Sequence, residues 1–412
     1  MTIRPYEKLV GEWPTRFHLR IDPDGGGLLL ANAAEAAWLT PVGVRMAAGV
    51  LEGRSDQEIV EEITSAFRSA PEAQVHADLA QVHAMIADLA EPGDNYPVTN
   101  LGESFSIWER ELGAPLRADV DQCDPERFRT IIRTLWDAGV PHVSIQADRA
   151  GDPERLPELV QAVEDIGMIC GLRAAARWLS PQTIEACALS GLDHFDFVFV
   201  CDDPAEHDET CGVGDHEALV AVIEQCHGLE LAPVAQWPLM DSNLADMEGM
   251  AEALQSLGVT NVVGFAIACT NDDAAADQAG ALPARALPQV ATTFFELAES
   301  TSARYLWAPP KRYDPGKSLR DQVLDGPRTS SDVSVRVRAD GSVWPARGAQ
   351  SAGNIFSSDW SAIWRHPVFK CYRERLAAPA RCPECPDLPI CQAECPQDPE
   401  GWSDDRKGGE VQ

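Results

Sequence analysis

The sequence predicts an α/β fold: a partial (β/α)6 barrel, preceded by an N-terminal winged-helix-like domain and followed by a C-terminal cysteine-rich domain. Three observations carry this. A unit of short apolar strand, Asp-Pro or Ser-Pro, amphipathic helix and closing glycine recurs between residue 115 and about residue 300. Alternating strand-like residues followed by three amphipathic helices fill the first 92 residues. Four cysteines crowd the stretch RCPECPDLPICQAECP, residues 381–396.

In the N-terminal part, RFHLRID alternates like a strand, DPDGGG is a turn, and LLLANAAEAAWL supplies one or two further strands. Thr40 and Pro41 open a first helix and Gly53 closes it. Ser55 and Glu58 form a capping box for SDQEIVEEITSAF, whose Ile59, Ile63 and Phe67 share one face. A third helix over about 73–90 carries Val75, Leu79, Val82 and Ile86. Residues 93–114 are rich in turn formers without a steady period and read as a linker.

The repeating units place a barrel over 115–310. PLRADV leads, then Asp124–Pro125 opens FRTIIRTLWDAG before VPHVSIQA. Asp152–Pro153 and Ser180–Pro181 open the next helices, and MICGLRA, HFDFVFV, LELAPVAQ and NVVGFAIA supply the later strands. Proline at the first helical position and glycine at the end are sound stops. Strands alternating with helices at this spacing imply parallel pairing with right-handed crossovers. An open doubly wound sheet is the alternative arrangement. Residues 311–412 hold a hairpin, VSVRVRADGSVWP, turning at Asp340–Gly341, then GNIFSSDWSAIW, the cysteine loop and a frayed tail.

The net charge of −32 comes from 33 basic and 65 acidic side chains among 412 residues. Nucleic-acid binding needs a basic face, so that class is excluded, and the acidic second helix is a poor recognition helix. No stretch of about 18 apolar residues implies a membrane span, and the start lacks a signal peptide's apolar core. The expectation is a cytoplasmic protein. Its 12 cysteines then read as thiols or metal ligands rather than disulfides.

Cys382, Cys385, Cys391 and Cys395 stand in the pattern C-x2-C-x5-C-x3-C, which lets four thiolates converge on one centre. A tetrathiolate favours zinc or an iron–sulfur cluster. Cys123, Cys201 and Cys269 fall near the C-terminal ends of barrel strands, the rim where barrel enzymes place their chemistry. With Asp121, Asp148 or Asp202 they are candidates for a catalytic site, set against the plainer reading of buried, inert thiols. Trp237 at a strand end reads as packing. The 9 histidines show no H-x3-H spacing, and no P-loop, nucleophile elbow or dinucleotide fingerprint is present.

The C-terminal region resembles a SPASM domain, the extension of many radical S-adenosylmethionine (radical SAM) enzymes that mature peptides. ADGSVWP, GNIF with SAIW, and the four-cysteine loop carry that resemblance. GVPHVSIQADRAGDPERLPELV and HDETCGVGDHEALVAVIEQC are similar to segments of the radical SAM partial barrel. The N-terminal domain is similar to PqqD-type modules that hold the leader of a ribosomally made precursor peptide. The family's C-x3-C-x2-C after the first barrel strand is missing, however, and DQCDPERF leaves Cys123 alone. Gln146, Ala147, Asp148 and Arg149 stand where the family has Gly-Gly-Glu-Pro, and Ala346 stands where its hairpin ends in a ligand cysteine.

The resemblance therefore implies a peptide-binding maturation protein that does not cleave S-adenosylmethionine, a degenerate or pseudoenzyme relative. Its loop cysteines would hold one Zn²⁺, slightly favoured, or one 4Fe–4S cluster, with Cys371 in reserve. The expected partner is a precursor or leader peptide on residues 1–92, added as a strand near RFHLRID beside the Ile59 helix. Two other readings remain: a heterodimer partner of a radical SAM or other maturation enzyme, and an enzyme using non-radical chemistry at a recast barrel mouth.

Overall fold

The computed structural model describes residues 1–369 except 33–34, 68–70, 92–111, 148–150, 270–272, 302, 309, 328–333 and 346–350. The first part is an antiparallel sheet in the order β1 (Thr2–Val10), β2 (Trp13–Ile21), β3 (Gly27–Ala31), β4 (Glu35–Leu39). Helices α1 (Pro41–Leu51), α2 (Asp56–Ala66) and α3 (Glu72–Ala90) follow. Thr40 caps α1, and the reciprocal Ser55–Glu58 box caps α2 as the sequence predicts. Phe17, Leu19 and Leu29 of the sheet pack on Val44, Ile59, Ile63 and Leu79 of the helices.

RFHLRID is not at a sheet edge, contrary to the expectation. It lies in β2, bonded to β1 on one side and β3 on the other, and Ile59 is core at 1% exposure. The cause is β1, TIRPYEKLV, whose proline and charges hide its strand character in the sequence. The sheet's edges are β1 and β4.

The second part alternates β5 (Arg117–Asp121), α4 (Pro125–Ala138), β6 (His142–Gln146), α5 (Leu156–Glu164), β7 (Ile169–Arg173), α6 (Pro181–Leu189) and β8 (His194–Val198). Then come α7 (Pro204–Cys211), α8 (Asp215–Gly228), β9 (Ala232–Leu239), α9 (Met247–Ser256) and β10 (Asn261–Cys269). Asp124, Asp152 and Ser180 each accept from a first-turn amide ahead of a proline-led helical turn. Strands β5 to β10 are parallel and neighbour one another in chain order. A doubly wound sheet would reverse that order partway; this one does not.

Chain after β10 adds to both sides of this sheet. α10 (Ala274–Gln278) precedes β11 (Leu282–Pro283), and α11 (Leu287–Ser300) precedes β12 (Arg304–Trp307) and β13 (Lys311–Arg312). All three short strands pair with β10. After α12 (Leu319–Leu324), β14 (Ser334–Val337) runs parallel to β5. The predicted hairpin turns at Asp340–Gly341 into β15 (Ser342–Trp344), followed by β16 (Gly353–Asn354) and α13 (Trp360–Trp364).

The helix-facing side of the large sheet is apolar: Val120, Val143, Ile145, Leu172, Phe195 and Trp237 join one buried cluster with the helices. The sheet is curved about its other side. Arg117 on β5 reaches Asp196 on β8 at 3.2 Å, with β6 and β7 between them. Three strand spacings in a flat sheet would hold those backbones about 14 Å apart.

The N-terminal sheet docks on the turns that enter these strands. Alternation in β2 sends Phe17 and Leu19 into its own core and Arg16, His18 and Arg20 the other way. Arg16 pairs with Glu164 at 3.0 Å and Asp193 at 3.5 Å. Arg20 donates to the Ala114 carbonyl at 3.1 Å. His18 Nε2 lies 2.7 Å from the Gly167 carbonyl just past α5, so Nε2 carries the proton. The buried Nδ1 has no partner. Burial first, then the Arg16 charge, lower this imidazole from 6.5 to about 4.

His18 is thus neutral in the folded chain at pH 7. Its contribution is complete above the unfolded value of 6.5 and is lost as pH falls toward about 4. The full loss is about 3 kcal/mol, at about 1.4 kcal/mol per unit. His18→Gln keeps a neutral donor toward Gly167, so its denaturant stability should fall less than wild type between pH 6.5 and 4. Parallel curves would contradict the assignment.

Candidate functional site: the inner face of the sheet and its rim

Strand alternation places Arg117, Asp119 and Asp121 of β5 on the inner side, with His142, Ser144 and Gln146 of β6 and His194 and Asp196 of β8. His142, Ser144, His194 and Asp196 are buried and the others half-buried, so these polar groups pair with one another. Arg117 Nε donates to Asp119 at 2.9 Å and Nη2 to Asp196 at 3.2 Å. His194 Nδ1 lies 2.8 Å from the other Asp196 oxygen, and His194 Nε2 lies 2.8 Å from His142 Nε2. Two ring nitrogens at that distance share one proton, one donating and one accepting.

Burial would lift the Asp196 carboxyl, but His194 and Arg117 together hold it below its usual value. Burial would lower Arg117, but its two carboxylates keep it raised. His142 is driven well down by burial and by Arg117, so it is neutral.

The rim at the C-terminal ends of the strands opens a cavity of about 340 Å³, lined among others by Gln146, Arg173, Arg177, Trp178, Asp215 and Arg336. Arg336 binds Asp121 at 3.0 Å through Nε and Nη2. Arg173 donates to Gln236 Oε1 at 2.6 Å and to the Leu324 carbonyl at 2.7 Å. Lys311 donates to the carbonyls of Gln322 and Gly326 at 2.7 and 3.0 Å, and burial brings its amine down to about 7. Arg173 and Lys311 thus hold carbonyls in and just after α12, as cations favour helix C-termini.

The sequence candidates do not gather. Cys123 follows β5, half-buried, and its thiol is pushed up to about 11 by burial. Cys201 follows β8, also raised to about 11 by burial, with Sγ 3.5 Å from the Asp203 carbonyl. Cys269 ends β10, is 3% exposed, and lies 3.9 Å from the Ala281 carbonyl. Raised by burial, these thiols stay protonated at pH 7. Asp121 is taken by Arg336, and Asp202 is exposed. Trp237 is fully buried against Phe294, as the packing reading expects. Asp148, Arg149, Ala346, Cys371, Cys382, Cys385, Cys391 and Cys395 lie outside the described residues.

One group of three metal-ligand atoms exists among the described residues: His207, Cys211 and Asp215, all within 4.8 Å of one another and buried. His207 and Cys211 sit four apart on α7, a spacing visible in HDETC and overlooked in the sequence. The donor types suit zinc. The proton placement suits a His–Asp pair instead. The Val200 amide donates to His207 Nδ1 at 3.4 Å, so Nε2 bears the proton and faces Asp215 Oδ2 at 3.2 Å. A metal at Nε2 would drive that proton to Nδ1, against the amide. No group of three thiol ligands surrounds Cys123 among the described residues, so those at the rim do not fit an iron–sulfur cluster.

No protein-family model matches the chain, and no curated protein matches it. Solved structures do. SuiB of Streptococcus suis bound to S-adenosylmethionine aligns with TM-score 0.57 at 13% identity, covering 92% of this chain and 95% of that one. A further SuiB structure aligns at 0.56 and 13%, covering 96% and 95%. SuiB bound to precursor peptide SuiA aligns at 0.55 and 13%, covering 92% and 95%. At that identity the likeness is one of fold: mixed α/β with a large, mostly parallel sheet, consistent with a radical-SAM-like architecture.

Asp196 is the hinge of the buried network. Asp196→Ala should cost about 3–5 kcal/mol in denaturant unfolding at pH 7, because it strands Arg117 without its buried partner. Asp119→Ala, at a pair with 15% exposure on each side, should cost clearly less. Equal costs would place the hinge elsewhere.

Proposed function

We propose that this chain is a maturation protein for a ribosomally made peptide, which it captures on residues 1–92, and that it performs no radical chemistry. The observation that carries the reading is the fold shared with SuiB over 92% of this chain, in a structure where SuiB holds the precursor peptide SuiA. Lacking the S-adenosylmethionine-cleaving cluster is the second half of the proposal. It rests on the short passage Gln122–Cys123–Asp124 between β5 and α4, which offers one thiol.

The N-terminal domain offers a PqqD-like seat for such a peptide. β4 pairs only with β3 among the described residues, so its outer edge can receive another strand. Beside that edge, Trp38, Gln81, Met85 and Leu89 line a groove of about 490 Å³ between β4 and α3. A bound strand would set alternate side chains against Met85 and Leu89. With a net charge of −32, the chain favours a cationic leader.

In the SPASM-like region, Cys382, Cys385, Cys391 and Cys395 would close around one structural Zn²⁺ or one 4Fe–4S cluster, with Cys371 in reserve. A separate radical SAM or other maturation enzyme would then act on the presented peptide. The seven cysteines of the described residues are all free thiols, which supports a reducing, cytoplasmic setting. No described helix is long and apolar enough to cross a membrane. The rim cavity favours one second reading, an enzyme that uses non-radical chemistry on the peptide there.

The test is fluorescence anisotropy with a labelled precursor peptide encoded beside the gene. Full-length chain should bind it, and Met85→Asp should weaken binding tenfold or more, about 1.4 kcal/mol. Removal of residues 1–92 should abolish binding. Unchanged affinity in both variants would remove the N-terminal domain from peptide capture.

A further inference from the structure

We propose that the rim cavity binds an oxyanion, the carboxylate or phosphate of a small ligand, between Arg173, Arg177 and the indole N–H of Trp178. The argument starts from how this chain treats its other buried or half-buried arginines. Arg16, Arg117 and Arg336 each have a carboxylate at 3.0 Å or less, while Arg20, in the N-terminal sheet and away from the rim cavity, donates to backbone carbonyls. Arg173 is held only by neutral oxygens, of Gln236 and Leu324. Among the described residues no carboxylate lies within ion-pair distance of it, and burial lowers its guanidinium from the usual value. The carboxylate paired with Arg177, on Asp215, sits 3.6 Å away, beyond a hydrogen bond. Asp196, Asp325 and Asp119 act on Arg173 only through space, and leaving a desolvated cation without a contacting counter-charge is expensive.

The second observation is independent of charge. Arg177 Nη1 and Trp178 Nε1 are both buried atoms without a hydrogen-bond partner, Nη1 having only the Asp215 oxygen at 3.6 Å. Both residues line the cavity, and both atoms can only donate. Two donors short of a hydrogen-bond acceptor and a guanidinium held only by neutral oxygens, in residues that line one cavity, make a place for an added acceptor. Buried polar groups are otherwise paired.

The third is backbone shape. A Cβ on Gly326 would stand 2.5 Å from Arg173 Nη2, and one on Gly212 would stand 2.5 Å from Arg177 Nη1. Both glycines have positive φ, 71° and 108°. The chain thus leaves room for each guanidinium at a position only glycine takes easily. Planar guanidinium forks match carboxylate and phosphate oxygens. Asp215, Asp321 and Asp325 also line the cavity, so an anion of low charge is favoured over a polyanion. This goes beyond peptide capture: a chain that bound its leader but no anion would sink this inference and leave the other standing.

The test is thermal shift and calorimetry on the full chain with sodium succinate and with inorganic phosphate, at ionic strength fixed by sodium chloride. At least one anion should raise Tm saturably, and succinamide should not. The tighter of the two names the source, carboxylate or phosphate. Arg177→Gln should weaken that anion roughly tenfold to hundredfold, the span of a charged hydrogen bond. Trp178→Phe keeps the ring and removes only the N–H, so a few-fold loss there guards against a folding artefact in the first variant. The proposal fails if neither anion acts beyond sodium chloride, or if both variants bind as tightly as wild type.

Discussion

Asp196 sits fully buried on β8 and accepts from two sides at once, from Arg117 across the sheet and from His194 two residues back on its own strand. That shared carboxylate is the constraint on which the large sheet depends. It ties β5 to β8 across the curved sheet, and it shares with Asp119 the neutralisation of Arg117. His142 extends the chain of contacts by one proton shared with His194. Arg173, the rim arginine, is the register partner of Asp196 on the neighbouring strand. The rim cavity, which Arg173 lines, therefore adjoins this network.

The N-terminal domain is attached by a comparable logic. β2 gives one face to its own apolar core and the other to the turns below the large sheet. Its donors find carbonyls and carboxylates there, His18 the end of a helix and Arg16 two acidic side chains. A module fixed through β2 keeps its β4 edge and the α3 groove for another occupant. Docking thus uses β2, and the proposed peptide capture would use β4 and α3 instead.

Much of this architecture was legible in the sequence because it is local. Asp124, Asp152 and Ser180 ahead of prolines, the Ser55–Glu58 box and the Asp340–Gly341 turn each involve neighbours within a few residues, and each forms as read. β1 was not legible, since Pro5, Glu7 and Lys8 give it the look of a loop. The inner face was hidden for a different reason. RADVD, HVSIQ and HFDFV alternate as a solvated strand face would, and nothing local says that the polar side faces an enclosed space. Arg117 and Asp196 lie 79 residues apart, so their pairing appears only once the strands are laid side by side. Cys123, Cys201 and Cys269 are at strand ends, on β5, β8 and β10, and form no three-ligand cluster among the described residues. His207 and Asp215 were passed over because their partnership crosses a helix boundary.

The proposed reading, a maturation protein without radical chemistry, rests on the fold similarity to SuiB and on the single thiol between β5 and α4. The most direct measurement is 5′-deoxyadenosine formation. Chain reconstituted anaerobically with iron and sulfide, then given S-adenosylmethionine and dithionite, should yield none above a protein-free control. Enzyme-dependent 5′-deoxyadenosine in that assay would contradict the account outright.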